Sequence, residues 1–378
     1  MKKGKVFVGL SGGVDSSVSA AILKKEGYDV VGVFIKVWQP DFFAPTRANL
    51  AGGCTWKEDR LDAMRVAAKL NIPFLTLDLE KEYKEEVIDY MISEYKSGRT
   101  PNPDVMCNKH VKFGAFLKFA LKNGADFVAT GHYAKVESRK LKVESKKMVK
   151  QEYKLLMSVD KEKDQSYFLW TIKPELLPKI LFPVGGYKKT EVRALAKKYN
   201  LATWGKKDSQ GLCFVGKLDI KDFLKHYIKT KKGKLLDEGG SVIGYHNGAS
   251  FLTEGERHGF TIMRGKDLNK ALPQYVVSKD IKNNTVTVSP FPQKNNGLSE
   301  IIKLKDVNII NRDIKNGEKL SARTRYREKL VPCSLVRVDH LKKTAEIKFN
   351  TSKLVSVGQS LVLYKKDVCV GGGVIAEK

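Results

Sequence analysis

The stretch KVFVGLSGGVDSSVSAAILKKEG, residues 5–27, decides the fold. Lys5 to Leu10 is a short Val-rich apolar run and Ser11 to Asp15 is small and glycine-rich. From Ser16 onward Val18, Ala21 and Ile22 recur at helical spacing, which predicts strand, loop and helix in that order. That order builds an anion site. Gly12 and Gly13 let the backbone approach an oxyanion, the first amides of the helix point at it, and the hydroxyls of Ser11, Ser16 and Ser17 add donors. The loop holds no Gly-Lys-Ser/Thr to make a Walker A motif and no GxGxxG to make a dinucleotide fingerprint. Lacking the lysine that reaches a γ-phosphate, it suits a different part of a nucleotide, such as a departing pyrophosphate.

Outward from this stretch, further strands are expected at Asp29 to Trp38, Pro73 to Leu79 and Asp126 to Gly131, with helices at Lys57 to Leu70, Tyr83 to Tyr95 and Val111 to Lys122. Alternating strand and helix gives an α/β domain with a parallel sheet covered on both faces, whose ligands collect at the carboxyl ends of the strands. The loop at residues 11–17, the stretch Phe34 to Lys36, and Thr130-Gly131-His132-Tyr133 all fall at such ends. Lys135 to Lys154 carries eight basic and three acidic residues and reads as a basic hairpin or loop protruding from this domain. A helix is expected again at Thr190 to Tyr199, with Thr190 as its cap. One more, Leu218 to Lys229, precedes the Gly-punctuated β pattern of YHNGASFLTEGERHGFTI. From Thr285 the β-branched runs NTVTVS, CSLVRVD, TAEIKFN and SLVLYKKDVCVGGGVI suggest a small β-barrel. The expected division is 1–215, 216–285 and 286–378.

The 69 Lys and Arg residues against 42 Asp and Glu give +27, spread along the chain, which points to a polyanionic partner. No apolar run is long enough to span a membrane, and the basic start is followed only by Val6 to Leu10 before the glycines break it, so no signal peptide is expected. The five cysteines, 54, 107, 213, 333 and 369, are odd in number and contain no CxxC pair. That argues against a zinc knuckle, a CxxC-type cluster and a secreted disulfide framework, and favours reduced cytoplasmic thiols.

Two of these cysteines stand in distinctive settings. Cys107, in GRTPNPDVMCNKHVKF, follows a turn stiffened by two prolines and opens a helix, where the helix start and the neighbouring Lys109 and His110 favour the thiolate. Cys213, in KKDSQGLCFVG, has Lys206 and Lys207 nearby. A loop suited to a departing pyrophosphate, a basic surface and two thiols fit together chemically: adenylation would turn a nucleobase carbonyl oxygen into a leaving group, and a persulfide would deliver sulfur in its place. Asp104 suits either a general base or a helix cap. Arg325-Tyr326 suits a phosphate contact beside a stacked base.

SGGVDSS (11–17) after a strand resembles the PP-loop of the ATP pyrophosphatases. Together with GVFIKVW (32–38), GRTPNPDVMCNKHVKF (98–113), ATGHYA (129–134), KDQSYFL (163–169), DSQGLCFVG (208–216), RYRE (325–328), GQSLVLY (358–364) and GGGVI (371–375), it makes nearly the whole chain resemble the tRNA-specific 2-thiouridylases. The resemblance implies a Rossmann-like PP-loop domain of the adenine nucleotide alpha hydrolase type, a small mixed central domain and a C-terminal β-barrel. It also implies 2-thiolation of the wobble uridine (position 34) of tRNA with ATP and Mg²⁺. Gly9, Leu10, Ser11, Gly12, Gly13, Val14, Asp15 and Ser16 would bind ATP phosphates, and Ile35 and Gly131 would contact the nucleotide. Cys213 would receive sulfur from a cysteine desulfurase or relay protein, and Cys107 would end in a disulfide with it. Asp104 would assist at the base, lined by Asn102 and Pro103. His132, Lys163, Asp164, Gln165, Arg325, Tyr326 and Gln359 would face the tRNA.

There are departures. The family usually has Met at the position of Ile35 and a Thr-Ile-Gly-Gln-Arg pattern where this chain reads TEGERHGF. Cys54, in GGCTWKED, is read as structural or incidental. Lysidine-type and 2-thiocytidine-type PP-loop enzymes are the nearest other chemistries: the first needs no cysteine pair, and the second normally needs CxxC. An RNA-binding protein that has lost catalysis is the non-enzymatic alternative.

Overall fold

The computed structural model describes residues 3–40, 56–143, 148–208, 220–263, 272–291, 301–310, 314–351 and 353–377. Its first sheet takes β1 (Lys5–Gly9), β2 (Asp29–Lys36), β3 (Phe74–Asp78) and β4 (Phe127–Ala129). After a hairpin of β5 (Ala134–Val143) and β6 (Met148–Met157) it adds β7 (Ile180–Leu181). The order is β3-β2-β1-β4-β7 and every pairing is parallel. A sheet buried on both faces needs apolar residues at successive positions. Phe7, Val31, Val33 and Ile35 accordingly pack on one side with the helices 80–96 and 103–122. Val6, Val8, Val30 and Phe34 pack on the other with Val14–Lys25, Trp56–Lys69 and Lys189–Lys198. The last of these helices starts one residue before the expected cap. The Lys188 N–H donates to Glu191 Oε2 at 2.6 Å, so Thr190 sits inside the first turn.

The 103–122 helix widens to i→i+5 hydrogen bonding over Cys107–Phe116. Gly114 permits this, since a Cβ there would stand 2.9 Å from the Lys109 carbonyl oxygen. Such π-type turns recur at functional positions.

The central sheet consists of β8 (Gly233–Leu236), β9 (Val242–His246), β10 (Phe260–Ile262), β11 (Tyr275–Asp280) and β12 (Thr285–Ser289), ordered β10-β9-β8-β12-β11. The run NTVTVS, expected to open the barrel, is β12 and lies between β8 and β11.

The barrel takes β13 (Ile301–Ile309), β14 (Lys319–Arg323), β15 (Val331–Asp339), β16 (Thr344–Phe349), β17 (Ser360–Lys365) and β18 (Val368–Glu377). Their order is β13-β16-β15-β14-β17-β18, and a β13 to β18 pairing closes the barrel. Leu361, Leu363, Val370 and Ile375 fill its interior. Val362, Tyr364, Cys369 and Val374 point outward into the core shared with Tyr167, Leu169 and Trp170. The last two strands are thus apolar on both faces because one face fills the barrel and the other docks it. The basic hairpin does not simply protrude: Leu155 and Leu156 of β6 pair with Cys369 and Val368 of β18, which ties it to the barrel. Among the described residues no helix is long and apolar enough to cross a membrane.

Candidate active site

The phosphate loop runs from the end of β1 into the helix Val14–Lys25. Gly12 adopts φ +72° and packs against the Asp59 carbonyl, leaving no room for a side chain. Gly13 caps the helix with no side-chain hydrogen bond, so no capping side chain occupies the first-turn amides. The Ser11 and Ser16 hydroxyls lie 3.2 Å apart, and the Ser17 hydroxyl donates to the Gly13 carbonyl at 2.7 Å. Leu10 and Val14 are core side chains, so only their backbone faces the loop. Gly131 closes one wall: a Cβ there would stand 2.6 Å from the Ser16 nitrogen. These residues fit a phosphate chain, with backbone amides, hydroxyls and a wall of glycine. Ile35 is buried in the core beneath the end of β2.

Asp15 is held from outside the loop. The Tyr133 hydroxyl donates to its Oδ1 at 2.8 Å, and Lys189 Nζ reaches Oδ1 at 2.7 Å and Oδ2 at 2.9 Å. Lys189, its side chain 12% exposed, also pairs with Asp208 Oδ1 at 2.9 Å. Lys163 Nζ meets Asp208 Oδ2 at 2.8 Å, and Arg193 Nη2 meets Oδ1 at 2.7 Å. Burial raises the Asp208 carboxyl, but the hydrogen bonds and charges of Lys163 and Lys189 outweigh it and hold the group well below its ordinary value. Lys206, expected to lend charge to Cys213, is instead engaged by Asp59 at 2.7 Å and Asp62 at 2.8 Å. Sequence reasoning missed Lys189. Its only signal is a lysine at the start of a helix, in GYKKTEVRALA.

The second group of residues lies around the turn before the 103–122 helix. Asn102 is the cap, accepting from the Val105 N–H at 3.2 Å, so Asp104, in the first turn and half-buried, is not the capping residue. Cys107 is 0% exposed and packed in the core. His110, expected to favour its thiolate, turns to Glu86 at 3.2 Å, and burial followed by the Lys109 charge lowers its basicity. Cys213 and Cys54 lie outside the described residues.

His132 bridges the two groups. Its Nδ1 is 2.6 Å from Thr130 Oγ1 and its Nε2 is 3.4 Å from Lys112 Nζ. Burial and then Lys112 push it well below its usual value, so it is a neutral, packed imidazole. Gln165 joins the same segment, its Oε1 accepting the Tyr133 N–H at 2.9 Å.

Of the residues expected to face tRNA, Asp164 is placed inside. It is 1% exposed and accepts from the Ser158 N–H at 3.0 Å and the Ser166 hydroxyl at 2.9 Å, and it pairs with buried Arg323 at 2.9 Å. Arg325 and Arg327 are exposed on the turn after β14, with Tyr326 between them packed at a tilt against Phe168, ring centroids 4.7 Å apart. Gln359 Nε2 donates to the Thr100 and Pro101 carbonyls at 3.2 and 3.1 Å. A cleft of about 390 Å³ opens beside it, lined by residues of all three units, among them Tyr95, Thr100, Thr253, Glu256 and Arg325.

Comparison with known proteins follows the same three units. Residues 4–217 match the tRNA methyl transferase HUP domain, 221–290 the tRNA methyl transferase PRC-barrel domain, and 299–375 the aminomethyltransferase beta-barrel domain. The chain is 43% identical over 376 residues to the tRNA-specific 2-thiouridylase MnmA of Geobacillus thermodenitrificans, covering 99% of this chain and 95% of that protein. It is 43% identical over 379 residues to the protein of the same name from Listeria monocytogenes serotype 4b (strain CLIP80459), covering 98% and 94%. Among solved structures, a 4-thiouridine synthetase–RNA complex with bound ATP is similar at 21% identity and a TM-score of 0.34, over 59% of this chain and 50% of that one.

Proposed function

Because this chain belongs to the family of tRNA-specific 2-thiouridylases, we propose that it activates the C2 oxygen of the wobble uridine with ATP and replaces it with sulfur. It is a tRNA sulfurtransferase that thiolates uridine in an ATP-dependent reaction. The observation that carries the stepwise reading is the loop 11–17, whose amides and hydroxyls are walled by Gly131 and whose carboxylate is tethered by Lys189. In this reading the uracil oxygen attacks the α-phosphorus and pyrophosphate leaves into the loop. Among the described residues no group of three or more His, Cys, Asp or Glu side chains gathers to hold a metal. Mg²⁺ would ride on the ATP phosphates and water, and Asp15, the loop's own carboxylate, would reach it only by exchanging contacts now made to Lys189 and Tyr133.

Sulfur arrives as a persulfide on Cys213, passed on by a cysteine desulfurase or relay protein. Its terminal sulfur attacks C2 and AMP leaves. The Cys107 thiolate then attacks Cys213 Sγ, releasing the thiocarbonyl and leaving a Cys107–Cys213 disulfide, which an external dithiol reduces. Asp104 manages the proton at the base, with Asn102 and Pro103 shaping the turn. Lys163, Gln165, Arg325, Tyr326 and Gln359 contact the tRNA, and Asp164 braces that segment through Arg323. An anticodon base is already single-stranded and simple to extrude, which suits a basic protein without duplex readout. We place the reaction in the cytoplasm. The expected division at 1–215, 216–285 and 286–378 is moved at its second boundary, so that the strand Thr285–Ser289 falls in the central unit and the barrel unit begins after it.

The test is incubation with ATP, Mg²⁺, bulk tRNA, a cysteine desulfurase and radiolabelled cysteine, followed by digestion of the tRNA. ATP-dependent label in 2-thiouridine is the expected result. AMP formed without label would move the chemistry to another nucleophile.

A further inference from the structure

The turn Gly98-Arg99-Thr100-Pro101-Asn102, which leads into Asp104 and Cys107, is gripped by side chains from the two other units. From the central sheet, Lys279 Nζ donates to the Gly98 carbonyl at 2.8 Å and to its own unit's Leu252 carbonyl at 2.7 Å. Thr253 and Thr100 hydroxyls meet at 3.3 Å, and Gly98, at φ +73°, packs directly on Ile281. From the barrel side, the Thr100 N–H donates to the Val357 carbonyl at 2.9 Å, while Gln359 bonds the carbonyls of Thr100 and Pro101. Gly358, at φ +93°, lets the two backbones approach, since a Cβ there would stand 2.9 Å from the Thr100 oxygen. Within its own domain the turn has one charged clamp, the paired hydrogen bonds of Arg99 to Glu94 at 2.7 and 2.6 Å.

We propose that Lys279 and Gln359 are positioning residues for thiolation: they fix the carbonyls of residues 98, 100 and 101, and through them the start of the helix that carries Asp104 and Cys107. A proline-stiffened turn transmits such a constraint because Pro101 and Pro103 remove the φ freedom that would otherwise absorb it. Misplacing a reacting group by about 1 Å, even from a change far from the chemistry, is costly in rate. Gln359 therefore has a role in alignment besides any contact with tRNA, and Lys279 joins the central unit to the chemistry.

This inference rests on the reading of Asp104 and Cys107 given above, and the experiment separates the two. Single-turnover thiolation at saturating tRNA, tRNA affinity and ATP affinity are measured for Gln359→Leu, Lys279→Met and Lys279→Arg, with Asp104→Asn alongside. Each of the first two lowers the rate constant roughly tenfold, the size of one misaligned contact. ATP affinity stays within about twofold of the parent in every variant, as does tRNA affinity in the two Lys279 variants, and Lys279→Arg restores most of the rate because it keeps the donors. A rise in tRNA Kd with an unchanged rate at saturation would overturn the proposal, as would no change in either. Full activity of Asp104→Asn would instead remove the reading of Asp104 and leave the effects of the two positioning residues standing. If Lys279→Met fails to fold, Gln359→Leu and Lys279→Arg decide the matter on the same readouts.

Discussion

The phosphate loop and the 98–107 turn are held in opposite ways. The loop is fixed by its own domain, through glycines at Gly12 and Gly131 and through a charged chain, Asp15 to Lys189 to Asp208, that never leaves residues 1–208. Besides its own Arg99–Glu94 pair, the turn is fixed from outside, by the Lys279 ammonium and by hydrogen bonds between neutral groups at Val357 and Gln359. The proposed nucleotide site thus rests on contacts within residues 1–208, whereas the turn before Asp104 and Cys107 takes contacts from all three units.

The strongest way to break that separation is at the thiols. Cys107→Ser and Cys213→Ser each lower thiolation by about a thousandfold or more, as loss of a covalent participant does. tRNA binding and a first turnover of pyrophosphate release persist, because the phosphate loop depends on neither sulfur. Failure of pyrophosphate release in Cys107→Ser would show that the two elements are one unit. Since Cys107 is fully buried, alkylation of its thiol is slow in the resting protein and speeds up when tRNA is added. Equal labelling rates with and without tRNA would contradict a substrate-linked exposure.

Next comes the joint itself. Arg323→Met leaves Asp164 as an uncompensated charge between the sheet domain and the barrel, a change worth about 3–5 kcal/mol of stability. The thermal midpoint falls, and thiolation falls further than ATP binding. An equal loss of both would erase the contrast between loop and turn. The double variant Asp164→Leu/Arg323→Met is expected to recover much of the stability, since no charge is then stranded.

The same contrast explains what the sequence disclosed. The loop is legible because strand, glycines, serines and helix are consecutive, so composition and spacing carry the whole argument. Lys189 lies 174 residues from Asp15, and nothing local to GYKKTEVRALA says which carboxylate it will meet. Thr285–Ser289 was recognisable as a strand but not as a member of the central sheet, because alternation fixes which face of a strand is buried and leaves its neighbour open. The resemblance sets Asp164 and His132 toward the tRNA, and the structure buries both. Their burial depends on Arg323 and on Phe113 and Phe182, partners supplied by the tertiary fold. In the barrel, SLVLYKKDVCVGGGVI showed its strands, and its apolar residues on both faces are explained only by docking on Trp170 and Tyr167.

A smaller effect is expected at the tether of the loop. Lys189→Met removes the cation shared by Asp15 and Asp208 and lowers ATP-dependent pyrophosphate release roughly tenfold or more, through misplacement of the loop. The tRNA Kd changes little, because the Lys189 charge is engaged by Asp15 and Asp208.

The smallest effect separates the two regions by their chemistry. The Asp208 carboxyl is held below its ordinary value of 3.8, so its contribution to stability is fully present above that value and is lost as the pH falls from it toward the lower folded value. Asp208 is about one-third exposed, so solvent screening keeps this contribution modest. At neutral pH, Asp208→Asn therefore melts slightly below the parent, and the gap narrows as the pH is taken below the ordinary carboxylate value. Gln359→Leu, which removes hydrogen bonds between neutral groups, keeps the same gap from the parent at both pH values. Thermal melts of the three proteins at neutral and at acid pH measure this directly. A pH-dependent gap for Gln359→Leu would mean that its hydrogen bonds are coupled to the Lys279 and Arg99–Glu94 charges that also hold the turn, and a pH-independent gap for Asp208→Asn would mean that the loop is not held by charge.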